Sequence, residues 1–327
     1  MNQKSTNKNL LFNIIILISF ITISIQAQNN NYSGIINLID GLNPNPDSIS
    51  FHNELEINNI GGHLQGIQYI QFKQNGYYFL SGSSELYSYL AIIKLGDKNS
   101  VISINKILDK PFKHAGGFQI YKNLMAIGVE DNSDREKSKI FIYQIEDPEN
   151  FEMQPLKIIE RGGAYERVTA GCVAITEIKN NILVVVGDWD TKHLDFYTIE
   201  KDELFSDNTK FTKVYSIDSE KLDRLDWCND NWVSYQNINF IKDSSGILYL
   251  AGMAMNDNEE NIIDLFSVEM IDLSSFDLKK IFTKKFIRND VVNFDWGTGI
   301  HMNEEFQLKI ISCSAHIESE SKIYIFK

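Results

Sequence analysis

Along most of the chain, short runs rich in β-branched and aromatic residues alternate with clusters of Gly, Asn, Asp and Ser. Tyr77-Tyr78-Phe79-Leu80, Ile140-Phe141-Ile142-Tyr143, Ile182-Leu183-Val184-Val185-Val186 and Ile247-Leu248-Tyr249-Leu250 are examples. Such runs, bounded by turn residues, predict β-strands. Beyond residue 47 no stretch holds apolar residues at i, i+3, i+4 and i+7 between capping residues, so helices are not predicted there.

The runs align as five units. Each opens on a strand that begins with a small or polar residue: Gly66-Ile67-Gln68-Tyr69-Ile70, Gly117-Phe118-Gln119-Ile120-Tyr121, Gly171-Cys172-Val173-Ala174-Ile175, Asn237-Ile238-Asn239-Phe240-Ile241 and Gly299-Ile300-His301-Met302. Successive openings are 51, 54, 66 and 62 residues apart. A second strand ends in a small residue and a polar tail, at Gly82, Gly128, Gly187, Gly252 and Ser312. A third strand follows in every unit, over residues 90–95, 139–145, 193–199, 262–270 and 322–326. A fourth closes the first four units, over residues 101–108, 155–160, 211–217 and 276–287. Four antiparallel strands repeated radially describe an all-β fold, a five-bladed β-propeller. The fifth unit lacks its last strand, which Ser48-Ile49-Ser50-Phe51-His52, running on to Ile57, can supply. That pairing removes an exposed sheet edge.

Upstream of the repeats, Lys4 and Lys8 precede an apolar stretch over residues 10–25, and Ala27 offers a small residue for cleavage. This is the pattern of a secretory signal peptide. The stretch is short for a membrane span of roughly 20 residues. The expected organisation is therefore a signal peptide over 1–27, a flexible leader over 28–46 and one propeller domain over 47–327. The mature protein is expected to be secreted or periplasmic, monomeric and without a membrane span.

Charge narrows the partners. The 327 residues carry 31 basic and 44 acidic side chains, a formal net charge of −13. With no offsetting Lys/Arg cluster, a nucleic-acid backbone is excluded as the main partner. Cys172, Cys228 and Cys313 are an odd number, so at least one thiol is free or pairs between chains. Cys172 and Cys313 lie in apolar strands and read as buried.

In an antiparallel hairpin the start of the first strand and the end of the second share one edge. Residues at these places should converge on one mouth of the central channel. They include His63, Gln65, Ser83 and Ser84 in unit one, and His114, Glu130 and Asp131 in unit two. Unit three adds Glu166, Arg167, Asp188, Trp189 and Asp190. Unit four adds Trp232, Tyr235 and Asp257, and unit five adds Asp295, Trp296, His301 and His316. Ligand contacts are expected from His63, Gln65, His114, Arg167, Trp189, Trp232 and Trp296. His63, His114, His301 and His316 are the metal candidates, since neutral imidazoles from several blades suit a divalent transition metal. Such a metal is the one cofactor considered. No H-x-E-x-H or C-x-x-C spacing accompanies these histidines, and bonding to strand-end carbonyls is the alternative. Glu130, Asp188 and Asp190 are the catalytic candidates, because two carboxyls facing a cleft can supply acid and base to glycoside hydrolysis. Calcium binding and simple solvation are the alternatives. Gln68 and Gln119 share one strand position and could form a polar ladder along the axis.

The openings His63-Leu64-Gln65-Gly66-Ile67-Gln68, His114-Ala115-Gly116-Gly117-Phe118-Gln119 and Ser234-Tyr235-Gln236-Asn237-Ile238-Asn239 resemble a family of secreted bacterial five-bladed propellers with no assigned activity. The resemblance covers about residues 60–327 and implies the fold and the matching of His63 with His114, but no function. The blade count is also similar to that of furanosidase-type glycoside hydrolases and propeller lectins. The former imply acidic residues on the innermost strands, where this chain has His63, His114 and Trp296. Two readings stay open. One is an extracellular module that binds a glycan, small molecule or protein at the channel mouth. The other is a secreted hydrolase or metal-dependent enzyme using the same face. A purely structural scaffold is a third.

Overall fold

The computed structural model describes residues 32–162 and 168–327. The expected signal segment, Glu166 and Arg167 lie outside the described residues. The chain divides into two compact units, one up to Gly41 and one from Leu42 to Lys327.

In the first unit, a helix α1 (Ser33–Asp40) stands where a flexible leader is expected. Ile35, Ile36 and Ile39 recur on one turn spacing, which suffices for a short amphipathic helix. Gly41 ends it, its N–H donating to Asn37 O at 2.9 Å. No helix among the described residues is long and apolar enough to cross a membrane.

The second unit is all-β. A first strand, β1 (Asp47–His52), precedes four consecutive four-stranded antiparallel meanders. They are β2 (Leu64–Phe72), β3 (Asn75–Ser83), β4 (Tyr87–Lys94) and β5 (Ser100–Asp109); β6 (His114–Tyr121), β7 (Leu124–Glu130), β8 (Lys137–Gln144) and β9 (Lys157–Gly162); β10 (Cys172–Ile178), β11 (Asn181–Gly187), β12 (His193–Glu200) and β13 (Thr212–Asp218); and β14 (Asn237–Lys242), β15 (Leu248–Met255), β16 (Asn261–Asp272) and β17 (Ser275–Phe286). A last group, β18 (Thr298–Met302), β19 (Leu308–Cys313) and β20 (Glu320–Phe326), gains β1 as its fourth strand. Ile49 sits opposite Ile323, and Phe51 opposite Ser321. The strand ends at His52, short of Ile57, which instead packs, half-buried, against the neighbouring apolar cluster.

The repeat has a local cause at its turns. Three first hairpins close through two residues, Lys73-Gln74, Lys122-Asn123 and Lys179-Asn180, with the lysine at a φ of 54°, 57° and 52°. Positive φ at the first turn residue is what a tight, right-twisted hairpin requires.

The core is a set of apolar layers between successive sheets. Tyr77, Phe79, Leu90 and Ile92 of the first meander face Phe118, Met125, Ile127 and Phe141 of the second. Val173, Ile175, Val184 and Val186 meet Ala126, Ile140 and Ile142. Phe196 stacks on Phe276 with centroids 4.4 Å apart, and Phe286, Phe294 and Phe326 pack edge to face. Burying aromatic side chains this way contributes about 1.5–3 kcal/mol each.

The first strands of successive units lie side by side, β2 next to β6, β6 next to β10, β10 next to β14, β14 next to β18, and β18 next to β2. Bulges at Gln65 and at Gly116-Gly117 turn the backbone toward the neighbouring first strand. There Gly117 N donates to Gly171 O at 2.9 Å, and Gly66 lies opposite Thr298. A side chain would not fit. A Cβ on Gly117 would lie 2.3 Å from Asn237 Oδ1, and one on Gly299 1.9 Å from Ile67 O. The opening small residues therefore mark where first strands come closest.

Cys172 and Cys313 are buried, as expected, and burial pushes both thiols up. Cys228 is exposed, and none of the three is disulfide-bonded.

Candidate functional site

Three of the five first strands, β2, β6 and β14, carry amides inward. Gln68 Nε2 donates to Asn239 Oδ1 at 3.1 Å, and that oxygen also accepts from Ile300 N at 2.8 Å. Gln119 Oε1 accepts from Phe240 N (2.9 Å) and Ile175 N (3.1 Å), while its Nε2 donates to Phe240 O (2.8 Å). All of these amides are buried. They form the axial ladder that their shared strand position suggests, and each ties two or more units together.

Above this ladder, at the strand starts, lies a cavity of about 310 Å³. His63, Gln65, His114, Gly171, Trp189, Ser234, Tyr235, Gln236, Met255 and Asp295 line it, so all five repeats contribute. Hollows of about 450 Å³ and 390 Å³ elsewhere are more open, and hold none of the candidate residues.

His114 and Glu130 are cross-strand partners at the mouth edge of β6 and β7. His114 Nδ1 lies 3.0 Å from Glu130 Oε1, an ion-pair distance without hydrogen-bond geometry, and both buried atoms are left without a hydrogen-bond partner. Glu130 is fully buried, and its Oε2 accepts from Ala170 N at 2.5 Å. The His114 ring lies 5.0 Å from the Trp189 ring at 35°. The Arg135 guanidinium also lies 5.0 Å from that indole. Trp189 is thus gripped by cation–π and ring contacts rather than left free.

His63 Nδ1 pairs with Leu64 O at 2.7 Å. Its pKa is lowered, chiefly by burial, with His114 and His316 adding repulsion against the bond to Leu64. Three of the four expected histidines therefore gather at the mouth. His301 does not: it lies further down β18, edge-on to Tyr69 at 4.7 Å, and burial lowers its pKa to about 4. Among the described residues no group of three or more His, Cys, Asp or Glu is placed to hold a metal ion. The four-histidine metal set is thus not assembled, because His301 sits several residues along its strand.

The carboxylates scatter likewise. Asp188 is buried and spent on its own turn, accepting from His193 Nδ1 at 2.8 Å and His193 N at 3.2 Å. Asp131 caps a turn through Ser133 N and Asp134 N. Asp190 is half-buried beside Thr191 and does not line the cavity. Glu130 is enclosed behind His114. The expected catalytic pair is therefore not brought together, since local turns consume these oxygens first. Asp295 is the carboxyl that lines the cavity. Burial raises its pKa, opposed by Met255 N, which donates to Oδ1 at 3.2 Å, and by Arg288.

Two of the tryptophans expected at the site stand elsewhere. Trp232 packs on Tyr235 (5.2 Å) and Phe266 (5.3 Å), its indole N–H donating to Thr191 O at 3.1 Å. It is core packing, because the loop before β14 folds over the apolar layer of the fourth meander. Trp227 of the same loop joins it, with buried Lys280 over its ring at 5.7 Å. Trp296 is half-buried next to Asp295 and is not a lining residue. Gly171, Ser234, Tyr235, Gln236, Met255 and Asp295 line the cavity without being in the expected ligand set; of these, Gln236 carries a sequence signal. It precedes Asn237 as Gln65 precedes Gly66, and that alignment is the signal for it.

No family model and no curated protein matches the sequence. Among solved structures, the chain is similar to the catalytic domain of a GH62 α-L-arabinofuranosidase from Coprinopsis cinerea (10% identity, 80% of this chain and 91% of that one, TM-score 0.47). It is similar also to a GH43_1 enzyme from Xanthomonas citri complexed with xylotriose (9%, 82% and 88%, TM-score 0.46). A third is a protein of unknown function from Dyadobacter fermentans (10%, 87% and 100%, TM-score 0.45).

Proposed function

We propose that the chain is a secreted five-bladed β-propeller, closed by β1, that binds a small polar ligand such as a glycan at the mouth of its axis. The side-by-side first strands, the pairing of β1 with β20 and the apolar layers between sheets support the ring. The signal-like N-terminus and the strand-opening motifs support the secreted propeller family, and a monomer is the simplest state for a ring that completes itself. One observation carries the binding reading: residues distant in sequence, from all five repeats, converge on a single half-open cavity. Trp189 and Tyr235 supply aromatic surface beside the polar side chains of His63, Gln65, His114, Ser234, Gln236 and Asp295, a lining suited to a polar ligand.

Recognition suits this lining better than two-carboxylate hydrolysis, because of the expected acids only Asp295 opens on the cavity. Calorimetric titration of the secreted protein with xylotriose and cellotriose tests the reading. Saturable binding is expected, weakened about tenfold or more, or about 1.4 kcal/mol, in Trp189→Ala and in His63→Ala. Unchanged affinity in both variants would place the ligand elsewhere.

A further inference from the structure

The first strands open on Gly66, Gly117, Gly171, Asn237 and Gly299. Four of these positions carry no side chain, so the backbones can draw close around the axis. The fifth carries an amide, and it fills the space the others leave. Asn237 is fully buried, and its Nδ2 donates to Gln65 O of β2 at 2.8 Å. Its Oδ1 lies 2.3 Å from where a Cβ on Gly117 would stand and 3.1 Å from one on Gly66. That oxygen has no hydrogen-bond partner, so one bond and close packing hold the amide. Since β14 lies beside β10 and β18, its contacts with β2 and β6 run across the axis.

A second layer lies beneath. Gln68 of β2 donates to Asn239 of β14, and Gln119 of β6 donates to Phe240 O of the same strand. Asn239 Nδ2 also reaches Phe118 O at 3.4 Å. Gln68, Gln119 and Asn239 are buried. Two successive layers of side chains thus bridge opposite strands and fill the axis.

Above Asn237 the strand starts splay. Gln65 and Gln236, each one residue before an opening position, line the cavity with residues from every other repeat. Its 310 Å³ matches the liquid volume of about ten water molecules, a space on the scale of a terminal sugar. Walls from five repeats and a filled floor leave one way in. A chain cannot thread through such a space and enters it only by an end.

We infer that the cavity is a blind pocket, floored by Asn237, that takes the terminal unit of a carbohydrate chain rather than an internal segment. Asn237 determines specificity by setting the depth of the pocket. The choice of a carbohydrate rests on the cavity being the glycan site, whereas the floor can be tested with no ligand present.

The floor is read by solvent exchange of the side-chain NH₂ groups of Gln68, Gln119 and Asn239 in assigned NMR spectra. Slow exchange is expected in the wild type. In Asn237→Gly, solvent reaches the second layer, and exchange at Gln68 and Asn239 should quicken about tenfold or more. Exchange as fast as that of exposed amides in the wild type overturns the inference, even if Asn237→Gly fails to fold. Unchanged exchange in a folded Asn237→Gly overturns it as well.

Titration adds the ligand arm, with xylotriose set against a long unbranched xylan at equal sugar mass. Binding sites per mass that fall in proportion to chain length, with xylotriose bound about tenfold or more weakly by Asn237→Gly, support the inference. Sites per mass that do not fall with length, or a folded Asn237→Gly that binds like wild type, overturn it. No binding of either probe, with slow exchange in place, instead defeats the reading of the cavity as a glycan site.

Discussion

The first strands carry two polar regions within a few residues of each other, and the two end differently. In the axial ladder, Gln68, Gln119 and Asn239 spend their amides on the backbones of neighbouring units. At the mouth, His114 lies 3.0 Å from Glu130 and Gln236 donates to Gln65, and both side chains also line the cavity. Buried polar groups are costly unless paired. The ladder amides are all paired, whereas Asn237 Oδ1 and His114 Nδ1, at the strand starts, are left without a hydrogen-bond partner. The lesson is that polarity on an innermost strand does not by itself mark a site. What marks it is a polar group whose partners leave an atom free.

Four changes would break or sharpen that contrast. The largest effect is expected from deleting residues 47–52. That strips the edge of β20 and removes the fully buried Phe51. Both regions depend on first strands whose sheets β1 helps to complete, so aggregation or a loss comparable to a typical total stability of about 5–15 kcal/mol is expected. An unchanged calorimetric melt would show that neither region needs β1.

Next, Gln119→Leu leaves Phe240 N, Phe240 O and Ile175 N unpaired. At about 1–3 kcal/mol per orphaned group, urea unfolding should show roughly 3–9 kcal/mol lost. Gln236→Ala at the mouth should cost under about 1 kcal/mol in the same assay. Equal losses would erase the distinction between ladder and mouth.

A third test uses His301, further along the same strands. Its folded pKa of about 4 lies below the ordinary 6.5. The unfolded chain therefore binds more protons between these values, and stability is lost as pH falls through that window. After allowing for partial exposure, about 2 kcal/mol of acid sensitivity should vanish in His301→Leu.

The smallest effect concerns Asp295, whose burial raises its pKa. Here the folded state holds the proton longer than the unfolded one, so stability falls as pH rises from the ordinary carboxylate value to the raised one. Asp295→Asn should flatten that fall in a pH series of melts. A parallel slope in both proteins would mean that the carboxyl is solvated rather than held at the cavity wall.

Much of this was legible in the residues. Gly66, Gly117, Gly171, Asn237 and Gly299 announced the close approach of the first strands, and the unfilled fifth unit announced the role of Ile49 and Phe51. His63, Gln65, His114 and Trp189 were placed at the mouth by strand alternation alone. Trp232 was not separable from them, because a rim position in sequence says nothing about which way a long loop folds. Glu130 and Asp188 ended matching strands, yet one backs an imidazole and the other closes its own turn. The α1 helix was missed because its apolar spacing spans only eight residues.

The sequence by itself determined the period, the strand alternation and the turns, since these follow from side-chain size and backbone preference within a few residues. Only the tertiary structure decided which polar atoms stay open. That depends on partners 40 or more residues away, such as Ala170 N for Glu130 and Phe240 for Gln119. Hydrogen-bond saturation is a property of the packed ring, not of any strand within it.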